Sequence, residues 1–190
     1  KKYNISNDDK IVMHLGSVLS HSGLEVIFDA IPNILKEIPN FKLLVVGDGS
    51  HLPSLKQRAN QLGIIDKIIF TGFIRYKEVP KFCSLANLCI NSFRIIDMTD
   101  KLSPVKIFDF MSCGKPVLAT PLKGMLHDFP KDSKTIIYAN LDEFEQKIIL
   151  LLNNENLEEI GVRSRKFVEK YFTWDIVAKK MLIEFKNIIK

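Results

Sequence analysis

Six short apolar runs recur along the chain, and none alternates with polar residues: Lys10 to Gly16 (KIVMHLG), Phe41 to Val46, Lys67 to Phe70, Asn87 to Ser92, Lys115 to Thr120 and Thr135 to Tyr138. A strand with one wet face alternates, so runs of this kind are read as strands buried on both sides in a parallel sheet covered by helices. The segments between them carry helical spacing. Leu24, Ile27, Phe28, Ile31, Ile34 and Leu35 share one face of a helix from Ser22 to Ile38. His51 to Leu62 is a second helix, stopped by Gly63, and Tyr76 to Ser84 a short third. From Leu141 onward three helical segments follow, Leu141 to Leu152, Glu155 to Tyr171 and Trp174 to Ile189. The expected fold is α/β: a doubly wound, Rossmann-like parallel sheet of about six strands with helices on both faces and a C-terminal helical tail. Residues 1–172 form the Rossmann-like domain and 173–190 the tail. In the doubly wound order the first and fourth strands are central neighbours with diverging exit loops. That sets the loop after Gly16 opposite the loop Phe93 to Leu102 and the helix that follows it.

That helix lies in the stretch Thr99 to Thr120, TDKLSPVKIFDFMSCGKPVLAT. Ser103 is suited to cap it, Pro104 to the first helical position, and Gly114 with Pro116 to close it, giving a helix from about Ser103 to Cys113. Pro104, Ile107, Phe108 and Met111 fall on a buried face, and Val105, Asp109 and Ser112 on another. Lys106 is out of place there, because the first turn of a helix favours acids. Either an anion held by the free amides of that turn supplies the missing charge, or Lys106 pairs with Asp109 three residues on.

Composition narrows the function classes. With 46% hydrophobic and 26% charged residues the chain is an ordinary globular one. No apolar run approaches the ~18 residues of a membrane span, and KKYNISNDDK lacks the apolar core of a signal peptide. The expectation is an intracellular protein or a piece of a larger one. Cys83, Cys89 and Cys113 show no C-x-x-C spacing and sit in apolar contexts, so they read as small buried residues and no metal is expected. The net charge of +5 is spread over scattered lysines without a dense basic run, which points to phosphate-bearing ligands or an anionic membrane surface, and away from nucleic acid.

The familiar nucleotide signatures are absent. The loop Gly16 to Gly23 is too long for a G-x-G-x-x-G turn and does not end in G-K-[ST]. Gly16 and Gly23 let the backbone approach a ligand, and Ser17, Ser20 and Ser22 offer hydroxyls, although glycines in a strand-to-helix turn more often serve the turn itself. His14, His21, His51 and His127 have no ligand spacing, and no nucleophile–base set stands out.

Several further pieces occur in a fixed order: Val45-Val46-Gly47-Asp48-Gly49, Ile69-Phe70-Thr71-Gly72-Phe73, Ser103-Pro104-Val105-Lys106 followed by Phe110-Met111-Ser112-Cys113-Gly114-Lys115-Pro116-Val117, and Phe172-Thr173-Trp174. In that order, over Val12 to about Ile176, the chain resembles the C-terminal, donor-binding domain of the retaining, sugar-nucleotide-dependent glycosyltransferases of GT-B architecture (glycosyltransferase family 4, group 1). The resemblance implies a cytoplasmic enzyme of cell-envelope polysaccharide synthesis, with contact at the inner face of a membrane as an alternative. It implies no cofactor, a UDP- or GDP-sugar as donor, and a sugar or lipid-linked acceptor held by an N-terminal domain outside this chain. The family carries two glutamates eight positions apart; Asp109 falls on the second, which holds the ribose, and Lys101 on the first. Ser17 and Ser22 stand where an arginine and a lysine are usual, Lys123-Gly124 where a glycine pair is, and His127 where a glutamate is. Two lost cations would cost a few kcal/mol at a diphosphate site if their contacts are charge-assisted, so Lys106, Lys101 and Lys123 are the expected compensation. The implied roles put Lys106 and Lys101 at the leaving group, Gly16, Ser17, Ser22 and Gly47 near the nucleotide, Ser103, Pro104, Val105 and Lys106 on the diphosphate, Asp109 on the ribose, and Phe73, Ile74 and Arg75 beside the base. Two rivals stand beside this: a sugar-nucleotide 2-epimerase half of the same architecture, and a non-catalytic module with a decayed site.

Overall fold

The computed structural model describes residues 3–188. In chain order the elements are β1 (Lys10–Leu15), α1 (Leu24–Glu37), β2 (Phe41–Val46), α2 (Leu52–Gln61), β3 (Ile68–Gly72), α3 (Val79–Leu85), β4 (Leu88–Asn91), α4 (Asp97–Asp100), α5 (Val105–Ser112), β5 (Val117–Ala119), α6 (Lys123–Asp128), β6 (Ile137–Tyr138), α7 (Phe144–Leu152), α8 (Leu157–Tyr171) and α9 (Trp174–Ile188). The strands form one parallel sheet in the order β3-β2-β1-β4-β5-β6. This is the doubly wound arrangement expected from the apolar runs, with β1 and β4 side by side at its centre.

The missing alternation has a direct cause. Side chains of a strand point to opposite faces in turn. Along β1, Val12 enters the core layer it shares with Leu24, Phe28 and Ile31 of α1, while Ile11 and Met13 enter the other with Phe82 of α3 and Phe110 of α5. Both faces are covered, so neither is polar. On the second layer Phe108, Phe129, Phe167 and Phe172 stack with centroids 5.1 to 6.1 Å apart and clamp the end of α8 onto α5.

The central helix differs from its expected form. It begins at Val105, and Pro104 is the cap residue, extended at φ −64° and ψ 131°. Its carbonyl accepts the Ile107 amide at 3.0 Å. Ser103 therefore lies outside the helix and caps nothing, and its buried hydroxyl has no partner among the described residues. Pro104 itself is only partly buried. The first helix likewise starts at Leu24, because Gly23 adopts φ 64° and approaches the Ser92 carbonyl so closely that a Cβ there would lie 2.1 Å from its oxygen. Two short helices, α4 and α6, have no periodic signal. In α6 a glycine sits in the first turn because the backbone of Lys101 and Leu102 leaves no room for a side chain, with a Cβ at Gly124 only 2.5 Å from the Lys101 oxygen.

Cys83 and Cys89 are buried and Cys113 half-buried, all as free thiols. The tail helix α9 has no buried residue among those described, and Trp174 is 86% exposed. The expected helix end at Ile189 lies outside the described residues.

Candidate functional site

Loops leaving the C-terminal ends of β1, β2 and β3 meet the start of α5 around a crevice of about 420 Å³. Its floor is held by glycines. Gly16 (φ 112°) donates its amide to the Val46 carbonyl at 2.8 Å, and Gly47 (φ 133°) donates to Gly72 at 3.1 Å. A Cβ on Gly47 would sit 2.0 Å from the Gly16 oxygen, so the two exit loops touch backbone to backbone and only glycine fits. The β1 loop is tied in turn to the β4 loop: Ser92 Oγ donates to the Ser22 carbonyl at 2.7 Å and the Arg94 amide to His21 at 2.9 Å.

Into this crevice α5 delivers Lys106. Its Nζ is sealed from solvent, has no hydrogen-bond partner among the described residues, and lies 4.3 Å from the centre of the Phe93 ring. It also faces Gly16, where a Cβ would come within 3.8 Å of it. The alternative partner is engaged elsewhere: Asp109 accepts a hydrogen bond from the Tyr76 hydroxyl at 2.7 Å, so the Lys106–Asp109 pair is not formed. Burial pushes the Lys106 amine down from 10.5 to about 7. Beneath it His14 is fully buried with both ring nitrogens unpartnered among the described residues, and burial, reinforced by the charge of Lys106, keeps the imidazole well below its usual range. A buried cation without a counter-charge is costly. The free amides at the start of α5 add positive potential at the same point. An anion placed at this point would offset both.

On the β3 side the crevice is walled by Phe73, 85% exposed, with Ile74 and Tyr76. Of the residues expected at a binding site, Gly16, Ser17, Gly47, Phe73, Ile74, Val105, Lys106 and Asp109 all line it. Others do not. Ser22 turns inward, its hydroxyl bonded to the Leu19 carbonyl, and serves to pin the loops. Lys101 is exposed at the end of α4, and Lys123, the other expected compensating cation, is held by Asp100 at 2.6 Å. Arg75 is exposed beyond Ile74, with its amide bonded to Glu78. Ser103 and Pro104 lie before the helix and outside the lining. Three residues beside Lys106 and Asp109 had no signal in the sequence: His14 reads as one scattered histidine, Phe93 as the first residue of a loop, and Tyr76 as the start of a helix. Their proximity to Lys106 and Asp109 comes from long-range pairing of β1, β4 and β3.

Among the described residues no group of three His, Cys, Asp or Glu can hold a metal ion, and no helix is long and apolar enough to cross a membrane. The chain as a whole is similar to known proteins. An uncharacterized glycosyltransferase of Methanocaldococcus jannaschii is 24% identical over 189 residues, 98% of this chain and 47% of that protein. The GDP-mannose-dependent alpha-(1-6)-phosphatidylinositol monomannoside mannosyltransferase of Mycobacterium tuberculosis is 22% identical over 186 residues, 95% of this chain and 48% of that protein. Among solved structures, Anabaena HepE in complex with UDP superposes with a TM-score of 0.82 at 17% identity, over 95% of this chain and 49% of that one. The chain thus spans about half the length of the curated relatives it matches. The family model described as glycosyl transferases group 1 matches residues 1–166, the whole sheet and its helices as far as most of α8, and the chain belongs to that family.

Proposed function

We propose that the crevice binds the nucleoside diphosphate of a sugar donor, and that the chain is the donor-binding half of a retaining glycosyltransferase acting on a sugar or lipid-linked acceptor. The observation that carries this reading is the unpartnered Lys106 amine, buried at the mouth of α5 against Gly16. A diphosphate resting there receives the charge of Lys106 and the free amides of the first helical turn, and the same donors stabilise the charge that builds on it as the sugar departs. Asp109 then accepts from the ribose, and Phe73 with Ile74 flanks the base. No metal is needed in this scheme. The names of the relatives speak for either UDP or GDP as the nucleotide, and the acceptor belongs to the half of the cleft that the other part of the enzyme supplies.

A second reading, a binding module without catalysis, is favoured by one fact: the other lysines expected to compensate for the lost cations, Lys101 and Lys123, are not in the crevice. Isothermal titration of the chain with UDP, GDP and ADP separates the two. The donor reading expects selective binding of UDP or GDP, lost when Lys106 is replaced by Met. Silence towards all three at millimolar concentration overturns it in favour of the module.

A further inference from the structure

Tyr76 and Asp109 come from different parts of the chain, the turn after β3 and the second turn of α5, and meet through a 2.7 Å hydrogen bond. The tyrosine donates, so Asp109 Oδ1 is occupied, while Oδ2 has no partner among the described residues. The tyrosine ring is 73% exposed and gives little to the core. Both residues line the crevice that holds Lys106. Residues three apart on a helix lie about 5–6 Å from each other, and in a nucleoside diphosphate the ribose follows directly on the α-phosphate. A diphosphate seated on Lys106 therefore brings the ribose over Asp109 and Tyr76.

We propose that Tyr76 is a specificity-determining residue of the donor site, which with Asp109 reads the two ribose hydroxyls as a pair. This rests on the donor reading above. Asp109 has one methylene fewer than a glutamate and reaches less far, and its Oδ1 already accepts from Tyr76, which leaves Oδ2 as the only one of its oxygens free of a partner for a group with two donors. The phenolic oxygen supplies the second: having given its proton to Oδ1, it keeps its lone pairs for a hydroxyl. The ribose O2′ and O3′ protons then go to Asp109 Oδ2 and Tyr76 Oη. The bond to Asp109 holds both acceptors in register, and that bond with the carboxylate's charge pushes the phenol above its ordinary range.

The test measures affinity for UDP and GDP, each beside its 2′,3′-dideoxy form, in the wild-type chain and in Tyr76→Phe and Asp109→Asn. The wild type should prefer whichever ribonucleotide it binds by about tenfold or more, since a site built for hydroxyls is left with unpaired acceptors by the analogue that lacks them. Tyr76→Phe should lose most of that preference while binding the dideoxy form as before, and Asp109→Asn should behave likewise. Equal ribonucleotide affinity in Tyr76→Phe and wild type overturns the role of Tyr76 while leaving the donor reading intact. If the wild type binds none of the four nucleotides, the donor reading itself falls and takes this inference with it. Tyr76 is exposed, and matched thermal melts show that a weakened variant is still folded.

Discussion

Lys106 Nζ lies 4.3 Å from the centre of the Phe93 ring, and this contact is the nearest thing to a counter-charge that the amine has. A ring face attracts a cation, but at about 0.5–2 kcal/mol it falls well short of compensating complete burial. Burial thus brings the amine down to about 7, where an anion beside it would favour the protonated form.

Nucleotide binding is predicted to weaken as the pH rises above about 7. With the free amine at about 7 and a bound diphosphate holding it protonated, binding above that pH must take up a proton. Affinity then falls towards about tenfold per pH unit, and titrations near pH 8 in buffers of different ionisation enthalpy report uptake approaching one proton per nucleotide. An affinity that stays flat from about pH 6 to about pH 9 would show that the amine is not at the diphosphate.

The same group makes the empty chain less stable at low pH. Below about pH 7 the amine is protonated in both folded and unfolded chains, and the folded one carries a buried charge; between about 7 and 10.5 only the unfolded chain keeps the proton. The unfolded state then binds more protons, so this group's contribution to stability rises with pH across that window. Lys106→Met removes the buried charge at similar volume. It should stabilise the chain by on the order of 3 kcal/mol near pH 6, with the gain shrinking towards about pH 9, as read from urea denaturation at the two pH values.

Gly47→Ala should be among the most damaging substitutions in the molecule, and Gly63→Ala a mild one. Both glycines have positive φ, 133° and 66°, but a Cβ at Gly47 meets the Gly16 oxygen at 2.0 Å while one at Gly63 meets nothing within 4 Å. Backbone strain alone costs about 1–2 kcal/mol. The steric clash at Gly47 adds to it and separates the β1 and β2 loops, so its melting temperature drops further and the crevice floor is lost. Comparable melts for the two variants would mean the loops part without cost.

Strands and sheet order were legible because burial on both faces leaves a continuous apolar run, as in KIVMHLG, and because helices between such runs allow few topologies. The candidate crevice was legible where a residue was odd for its place: Lys106 in a helix first turn, glycines at strand ends. It was not legible where function depends on partners distant in the chain. Ser22 read as a hydroxyl facing a ligand, but it is turned inward onto the Leu19 carbonyl in a loop that Ser92, 70 residues away, pins by donating to the Ser22 carbonyl. Lys123 read as a free cation, but Asp100 sits across the α6 start. Tyr76 meets Asp109 only because β3 carries it to α5. Local spacing shows which face a residue takes and is silent on which neighbour reaches it first.

The aromatic clamp between α5 and α8 gives the last contrast. Phe129 is fully buried and stacks on Phe108, Phe167 and Phe172, whereas Trp174, two residues after Phe172, is 86% exposed. Phe129→Ala leaves a void that rings held by α5 and by the end of α8 cannot all close, and should cost about 3–5 kcal/mol. Trp174→Ala removes a larger side chain that touches little in this chain, and should change stability by about 0.5 kcal/mol or less. Chemical denaturation of both variants decides it. A Trp174→Ala loss as large as that of Phe129→Ala would show that α9 is packed against the domain in solution, contrary to the exposure of its apolar residues.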